Sequence, residues 1–467
     1  MVERRTVAPD VAGSIPVTHP IFPIHLLGVL LAAGVWLAAC GGPPAGSGTL
    51  AVPRAAPPVT AASGQAVRAT TPEGTGGVNA PETLDKPYLI LISFDGVRHD
   101  DLARYDTPGF DRVAAGGAVA DALIPVYPSL TFPAHYSVAT GLYPERHGIV
   151  GNRFHDPLRG EDYNYRDTGA VQDGTWYGGE PIWLTAETQG MVSGAMLFVG
   201  TEADIGGIRP TFWTPYAERG SQTERVDAVL AWLALPPDRR PHLITLYFSA
   251  VDGAGHRAGP ATEAVAGAVA QVDAALGRLL DGLAALPHGD RVSLVLVSDH
   301  GMAAVDPGRI VDLRQTADLD GVRVVVTGPN ANLFVGGDPA RARALRDDLN
   351  DDLEVGRAYL REEVPTALRY RLDPRIGDVV IVPESGTMLT LGPPRDPPAG
   401  MHGYDPRHPD MGGILLFSGP EIVAGTRLPA VESVHVYPLL ARLLHLAPNP
   451  DIDGDLAALA PALTRRP

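Results

Sequence analysis

Tyr88-Leu-Ile-Leu-Ile-Ser93, followed at once by Phe94-Asp95-Gly96, is an almost continuously apolar run. A strand with one wet face alternates apolar and polar side chains, so a run without that alternation predicts a strand buried on both faces. The pattern returns at His242-Leu-Ile-Thr-Leu-Tyr-Phe248 and Val292-Ser-Leu-Val-Leu-Val297, with a weaker echo at Gly413-Ile-Leu-Leu-Phe417. Between them, residues 261–286 place Val265, Val269, Val272, Leu276, Leu279 and Leu283 at helical spacing. Strands alternating with helices predict an α/β fold, a mostly parallel central sheet flanked by helices on both faces. Short apolar runs at Arg323-Val-Val-Val-Thr327, Asn332-Leu-Phe-Val335 and Asp378-Val-Val-Ile-Val382 surround a polar helical stretch over 339–353. They predict a smaller α+β insertion at about 306–397. The span 153–216, rich in Gly, aromatic and turn residues, is expected to shape a pocket.

The chain of 467 residues carries 37 basic and 54 acidic side chains, a net charge of -17, which repels a phosphate-rich polymer and argues against a nucleic-acid scaffold role. An anionic small molecule can still bind where a local cluster of cations overrides that background. The one cysteine, Cys40, closes Leu37-Ala38-Ala39-Cys40 behind an apolar stretch and two arginines, Arg4 and Arg5. This resembles a bacterial lipoprotein signal, with residues 1–39 removed as a signal peptide and Cys40 lipidated. The alternative is an uncleaved membrane anchor, and both export the rest to the periplasm or cell envelope. Residues 40–85, rich in Pro, Gly and Ala, are expected to form a disordered tether to the membrane. The catalytic domain is expected over 86–460, as a monomer.

Asp95 follows the first buried run, Asp252 the second and Asp299-His300 the third. Ligands in open α/β sheets gather beyond the carboxyl ends of strands, so these side chains are expected at one sheet edge. Asp252 and His256 are spaced to reach one metal from a strand end and its following turn, and His402 comes from a loop after the insertion. Each alone is as well explained as a cap or a core histidine. Three Asp and three His together predict two metal ions. Mixed oxygen and nitrogen ligands without thiolate suit zinc, with manganese or iron as alternatives. Gly301 is expected to give the turn that lets both Asp299 and His300 ligate.

Pro133 suits the first turn of a helix starting near Thr131, placing the Thr131 hydroxyl where backbone donors favour anions. That hydroxyl is either a nucleophile or a helix cap.

Thr131-Phe-Pro-Ala-His-Tyr-Ser137, Thr140-Gly-Leu-Tyr-Pro-Glu-Arg-His-Gly-Ile149, Asn152, Glu180-Pro-Ile-Trp183, Arg209-Pro-Thr211, Ser298-Asp-His-Gly-Met302 and His402-Gly-Tyr404 occur in this order. Together with Asp95 and the Asp252–His256 segment they resemble the nucleotide pyrophosphatase/phosphodiesterase family of the alkaline phosphatase superfamily. The resemblance implies an alkaline phosphatase-like fold and two Zn2+, one held by Asp252, His256 and His402, the other by Asp95, Asp299, His300 and the Thr131 oxygen. It implies that Thr131 is the nucleophile of a covalent phosphothreonine route and that Asn152 donates to a nonbridging phosphoryl oxygen. Phe132 and Tyr247 are implied as substrate-binding aromatics; Phe212, Trp213 and Tyr216, which the resemblance does not align, either add to that wall or serve simple packing. A neutral amide in place of a guanidinium favours a diester. The expected substrate is therefore a small phosphodiester or nucleotide, cleaved to nucleoside monophosphates. The alternatives are a phosphonate, a phospholipid headgroup diester or another phosphate ester at the same site, and a non-catalytic surface lipoprotein.

Overall fold

The computed structural model describes residues 77–393 and 396–464; the expected signal peptide, Cys40 and most of the expected tether lie outside them. Eight strands form the main sheet, in the order Thr426–Leu428, Gly117–Ala120, Leu415–Ser418, Val292–Val297, Tyr88–Phe94, Leu243–Phe248, Ser193–Met196 and Phe212–Trp213. Only Leu415–Ser418, the weaker echo, runs against its neighbours; every other pairing is parallel. The three strongest apolar runs lie side by side at the centre, with Tyr88–Phe94 between the other two.

Both faces are covered, which is why these strands show no polar alternation. Leu89, Leu91, Val295 and Val297 enter one core, while Ile90, Ile92, Phe94, Leu294 and Leu296 enter the other. The first core is closed by the helices Thr131–Thr140, Ile182–Thr188 and Val436–Leu444, and the second by Pro108–Ala115, Gln222–Leu233 and Glu263–Ala285. In Glu263–Ala285 all six apolar residues at helical spacing are buried. Each such side chain contributes on the order of 2 kcal/mol.

Residues 306–397 contain a four-stranded antiparallel sheet ordered Arg323–Val326, Ala331–Phe334, Val379–Pro383, Gly356–Leu360, backed by the helix Pro339–Asp352. Leu333, Leu345, Leu349 and Ile381 give it a core of its own. Gly356–Leu360 escaped the sequence reading because Gly, Arg and Tyr alternate there with only two apolar residues. One boundary is corrected: residues 77–85, assigned to the tether, are packed on the domain. Asn79 is buried, its amide nitrogen donating to the Pro237 and Arg240 carbonyls and its oxygen accepting from Val192 N–H. Among the described residues no helix is long and apolar enough to cross a membrane.

Candidate active site

The three central strands end together, and residues shortly beyond them converge. Asp95 donates its N–H to the Phe248 carbonyl at 2.9 Å, and Asp252 donates its own to the Asp95 carbonyl at 3.0 Å. Gly96 makes this approach possible: its φ is +74°, and a Cβ there would stand 2.8 Å from Asp252 Cα. Asp252 and His256 sit one turn apart on the helix Ala250–Ala258, rather than on a strand end and a turn. The i, i+4 spacing places both on one helix face. Gly301 does not supply the expected turn through a positive φ. It admits the Asp410 and Gly412 carbonyls, which a Cβ would meet at 2.2 and 2.9 Å.

Two groups of ligand atoms lie within 4.8 Å of one another, Asp252 with His256 and His402, and Asp95 with Asp252 and His300. Asp252 therefore reaches both. Asp299 joins the second group through its Oδ2, 3.0 Å from His300 Nε2. The imidazoles are aimed by their other nitrogens: His256 Nδ1 faces the Gly400 carbonyl at 2.9 Å, His402 Nδ1 that of Ser129 at 2.8 Å, and His300 Nδ1 that of Gly301 at 2.8 Å. Each Nε2 is thus left for the site, the arrangement expected of metal-ligating histidines. The His300 and His402 rings stack with centroids 3.4 Å apart.

Burial and the neighbouring Asp299 and Asp252 carboxylates push Asp95 well above the ordinary carboxylate range. Burial also works upward on Asp299 but is outweighed by His300 and His135, which hold it well below that range. Burial, reinforced by His300, depresses His402 to about 3. Asp95 Oδ1, Asp252 Oδ1 and Asp299 Oδ2 are buried without a formed hydrogen bond, and each faces an imidazole nitrogen, at 3.4, 3.2 and 3.0 Å respectively. Orphaned buried carboxylate oxygens are rare, and three converging with aimed imidazoles fit bound divalent cations.

Thr131 is the first residue of the helix Thr131–Thr140, and no side chain caps that helix from its N-cap, Leu130. The Thr131 hydroxyl makes no capping bond; it lies 3.5 Å from His300 Nε2. Asn152 Oδ1 instead accepts from the N–H of Phe132, the residue after Thr131, at 2.9 Å, which leaves its amide nitrogen as a donor. Phe132 is half-buried and meets Tyr165 edge-on at 5.6 Å. Tyr247 is only 8% exposed and its hydroxyl donates to Asp95 Oδ2, so it fixes the orientation of that carboxylate. Tyr216 lies 6.5 Å from the Tyr247 ring and is exposed. Phe212 is core, stacked on Trp232, so it serves packing, and the Arg209 guanidinium stands over the Trp213 ring.

His135, inside the Thr131 motif, has a role that the sequence does not show. Its Nε2 meets Ser93 Oγ at 2.7 Å, and its Nδ1 lies 2.9 Å from the Thr131 carbonyl and 3.2 Å from Asp299 Oδ2. It ties the helix Thr131–Thr140 to Asp299. Its spacing of four from Thr131 was the available signal.

A carboxylate and imidazole cage at the carboxyl edge of a parallel sheet, with a hydroxyl at a helix N-terminus above it, defines an alkaline phosphatase-like α/β protein. Residues 89–405 match the family model "Type I phosphodiesterase / nucleotide pyrophosphatase", and the chain belongs to that family. It is 32% identical over 383 residues to human ectonucleotide pyrophosphatase/phosphodiesterase family member 1, an alignment covering 79% of this chain and 41% of that protein. The chain thus spans less than half the length of that relative. It is 31% identical to human family member 7, covering 80% of this chain and 83% of that one. The solved structure of human ectonucleotide pyrophosphatase/phosphodiesterase 5 superposes with a TM-score of 0.77 at 29% identity, covering 81% of this chain and all of that one. The murine counterpart, with a TM-score of 0.76, at 28% identity and the same coverage, has also been solved as an inactive threonine-to-alanine variant in complex with AMP.

Proposed function

We propose that this protein is a two-zinc phosphodiesterase and nucleotide pyrophosphatase that cleaves small nucleotide substrates to nucleoside monophosphates through a phosphothreonine at Thr131. The observation that carries the reading is the uncapped Thr131 hydroxyl, 3.5 Å from His300 Nε2, beside an Asn152 amide turned to donate. AMP in the inactive threonine variant of the murine relative supports both the nucleotide class and the nucleophile. The three orphaned carboxylate oxygens support the metals: Asp252, His256 and His402 would hold one ion, and Asp95, Asp299, His300 and the Thr131 oxygen the other. Bound zinc supplies Lewis-acid stabilisation of charge on the phosphoryl oxygens and lowers the pKa of a ligating hydroxyl.

The chain's own groups do the rest. Thr131 Oγ attacks phosphorus in line, forming an O–P bond as the bond to the leaving oxygen breaks. Backbone N–H groups at the helix start and the Asn152 amide stabilise the nonbridging oxygens. Water then splits the phosphothreonine, returning the hydroxyl and releasing a monoester. Phe132, with Tyr165 behind it, offers a ring face to a nucleobase.

The test is steady-state hydrolysis of a thymidine monophosphate nitrophenyl ester beside nitrophenyl phosphate, by wild type and Thr131→Ala. The diester is expected to be preferred and the variant inactive; an unaltered Thr131→Ala rate refutes the nucleophile, and a monoester preference refutes the diester reading. A product profile on ATP and a glycerophosphodiester separates the nucleotide from the headgroup reading. We also place the protein outside the cytoplasm as a monomer tethered through lipidated Cys40, supported by the signal-like segment before it. Loss of labelled-lipid incorporation in Cys40→Ser is the expected result; unaltered incorporation would refute it.

A further inference from the structure

The insertion over 306–397 supplies no expected ligand, yet its buried polar groups reach the site from two sides. Asn332 Nδ2 donates to Asn330 Oδ1 at 2.9 Å and to the Tyr370 hydroxyl at 3.1 Å, while its Oδ1 accepts from Gly377 N–H at 3.0 Å. Tyr370 passes its own proton out of the insertion, donating to the Val150 carbonyl at 2.8 Å. Asn330 Nδ2 donates to the Tyr127 hydroxyl at 2.8 Å, and the Tyr127 and Tyr370 rings meet edge to face at 5.2 Å. All four side chains are almost fully buried. Val150 is two residues before Asn152, and Tyr127 is four before Thr131.

A second clamp holds the same loop. Arg375 Nη1 donates to the Gly148 carbonyl at 2.9 Å and the Trp176 carbonyl at 2.8 Å, while Nε pairs with Asp156 Oδ2 at 2.9 Å. Gly148 gives the guanidinium room, since a Cβ there would stand 2.5 Å from Nη1. Glu145, three residues upstream, accepts the N–H groups of Arg371 and Leu372. Residues 145–150 are thus fastened at three points to residues 370–375, and the strand Arg153–Asp156 is fastened at Asp156. Asn152 lies between these anchors, where its placement decides whether its amide meets a phosphoryl oxygen.

We propose that the insertion is a positioning device for the phosphoryl site, in which Tyr370 and Arg375 act through the 148–156 segment to hold Asn152 in register with Thr131. This rests on the proposed function, which assigns Asn152 its donor role. A buried network with each polar atom paired holds one arrangement, because any displacement leaves a donor or acceptor unsatisfied. Small misplacements of a stabilising group are costly: ~1 Å loses on the order of 10²-fold in rate.

The experiment is a double-mutant cycle of Tyr370→Phe with Asn152→Ala, measuring kcat, KM and melting temperature of full-length metal-loaded protein. Tyr370→Phe keeps the ring on Tyr127 and removes only the bonds to Val150 and Asn332. The expected result is a kcat lowered about 10-fold with KM moved less than about twofold, and no further loss in the Asn152→Ala background. An unaltered kcat, or the full loss recurring in that background, overturns the proposal; a purely structural tyrosine would lower only the melting temperature, equally in both backgrounds. Asn152→Ala with undiminished kcat would overturn the role of Asn152 itself, a separate failure. Should Tyr370→Phe not yield folded protein, Arg375→Lys, which breaks the fork on Gly148 and Trp176 but keeps the charge beside Asp156, reads the same loop in the same cycle.

Discussion

Tyr247 donates its hydroxyl to Asp95 Oδ2 at 2.5 Å, from the strand neighbouring the one Asp95 follows. The carboxylate can present Oδ1 to the site only while Oδ2 is occupied in this way. Tyr247→Phe is expected to weaken zinc affinity by about 10–100-fold, the usual cost of losing a partner that orients a ligand. Competition against a graded series of chelators measures it directly, and unaltered affinity would show that Asp95 is oriented by other contacts.

Removing the metals should cost stability as well as activity. Buried Asp95 is then left beside the Asp299 and Asp252 carboxylates without a cation of its own, and ligand linkage predicts a loss of about 2.7 kcal/mol when free zinc at 100 times its dissociation constant is withdrawn. Calorimetry before and after chelation, with zinc added back, checks this. A melting temperature indifferent to chelation would refute metal occupancy of the cage.

Asn152→Ala should lower kcat on a diester by about 10²–10³-fold, the range for loss of one donor to a developing oxyanion. It also leaves Phe132 N–H at the helix start without its acceptor. Asn152→Asp keeps that acceptor while losing the donor, so an equal loss in both variants assigns the effect to the donor.

Gly96→Ala brings a Cβ within 2.8 Å of Asp252 Cα at a φ of +74°. The left-handed backbone alone costs about 1–3 kcal/mol. The collision also separates Asp95 from Asp252. Denaturant unfolding should show the destabilisation, and zinc binding should fall with it; a variant with normal affinity would show that the helix Ala250–Ala258 moves freely away from Asp95.

His147 is buried at the end of the short helix Pro144–His147, five residues before Asn152, its Nε2 2.9 Å from Ser137 Oγ. Burial depresses its pKa from 6.5 to about 3, with the Arg375 charge acting the same way. Below about pH 6.5 the unfolded chain takes up a proton that the native imidazole refuses until about pH 3. Stability contributed by the neutral ring is therefore complete above pH 6.5 and lost as pH falls through that window, at up to about 1.4 kcal/mol per pH unit. Urea unfolding at pH 7 and pH 5, for wild type and His147→Gln, should show a steeper decline in the wild type. Parallel declines would exclude this imidazole as the source.

The sequence alone determined the sheet's centre and which carboxylates and imidazoles meet at its edge, because both rest on local signals. A strand covered on two faces must be apolar at every position, as Tyr88–Phe94 is, and residues just beyond parallel strands must meet at one edge, as Asp95, Asp252, Asp299 and His300 do. Only the tertiary structure decided how those side chains are aimed. That Tyr247 serves Asp95, that His135 bridges Thr131 and Asp299, and that Gly301 is small because the Asp410 carbonyl passes beside it, all depend on contacts between residues far apart in the chain. The role of the insertion was hidden for the same reason. Tyr370 and Val150 are joined by one hydrogen bond across 220 positions, and no periodicity or spacing in a sequence encodes which carbonyl a buried hydroxyl will find.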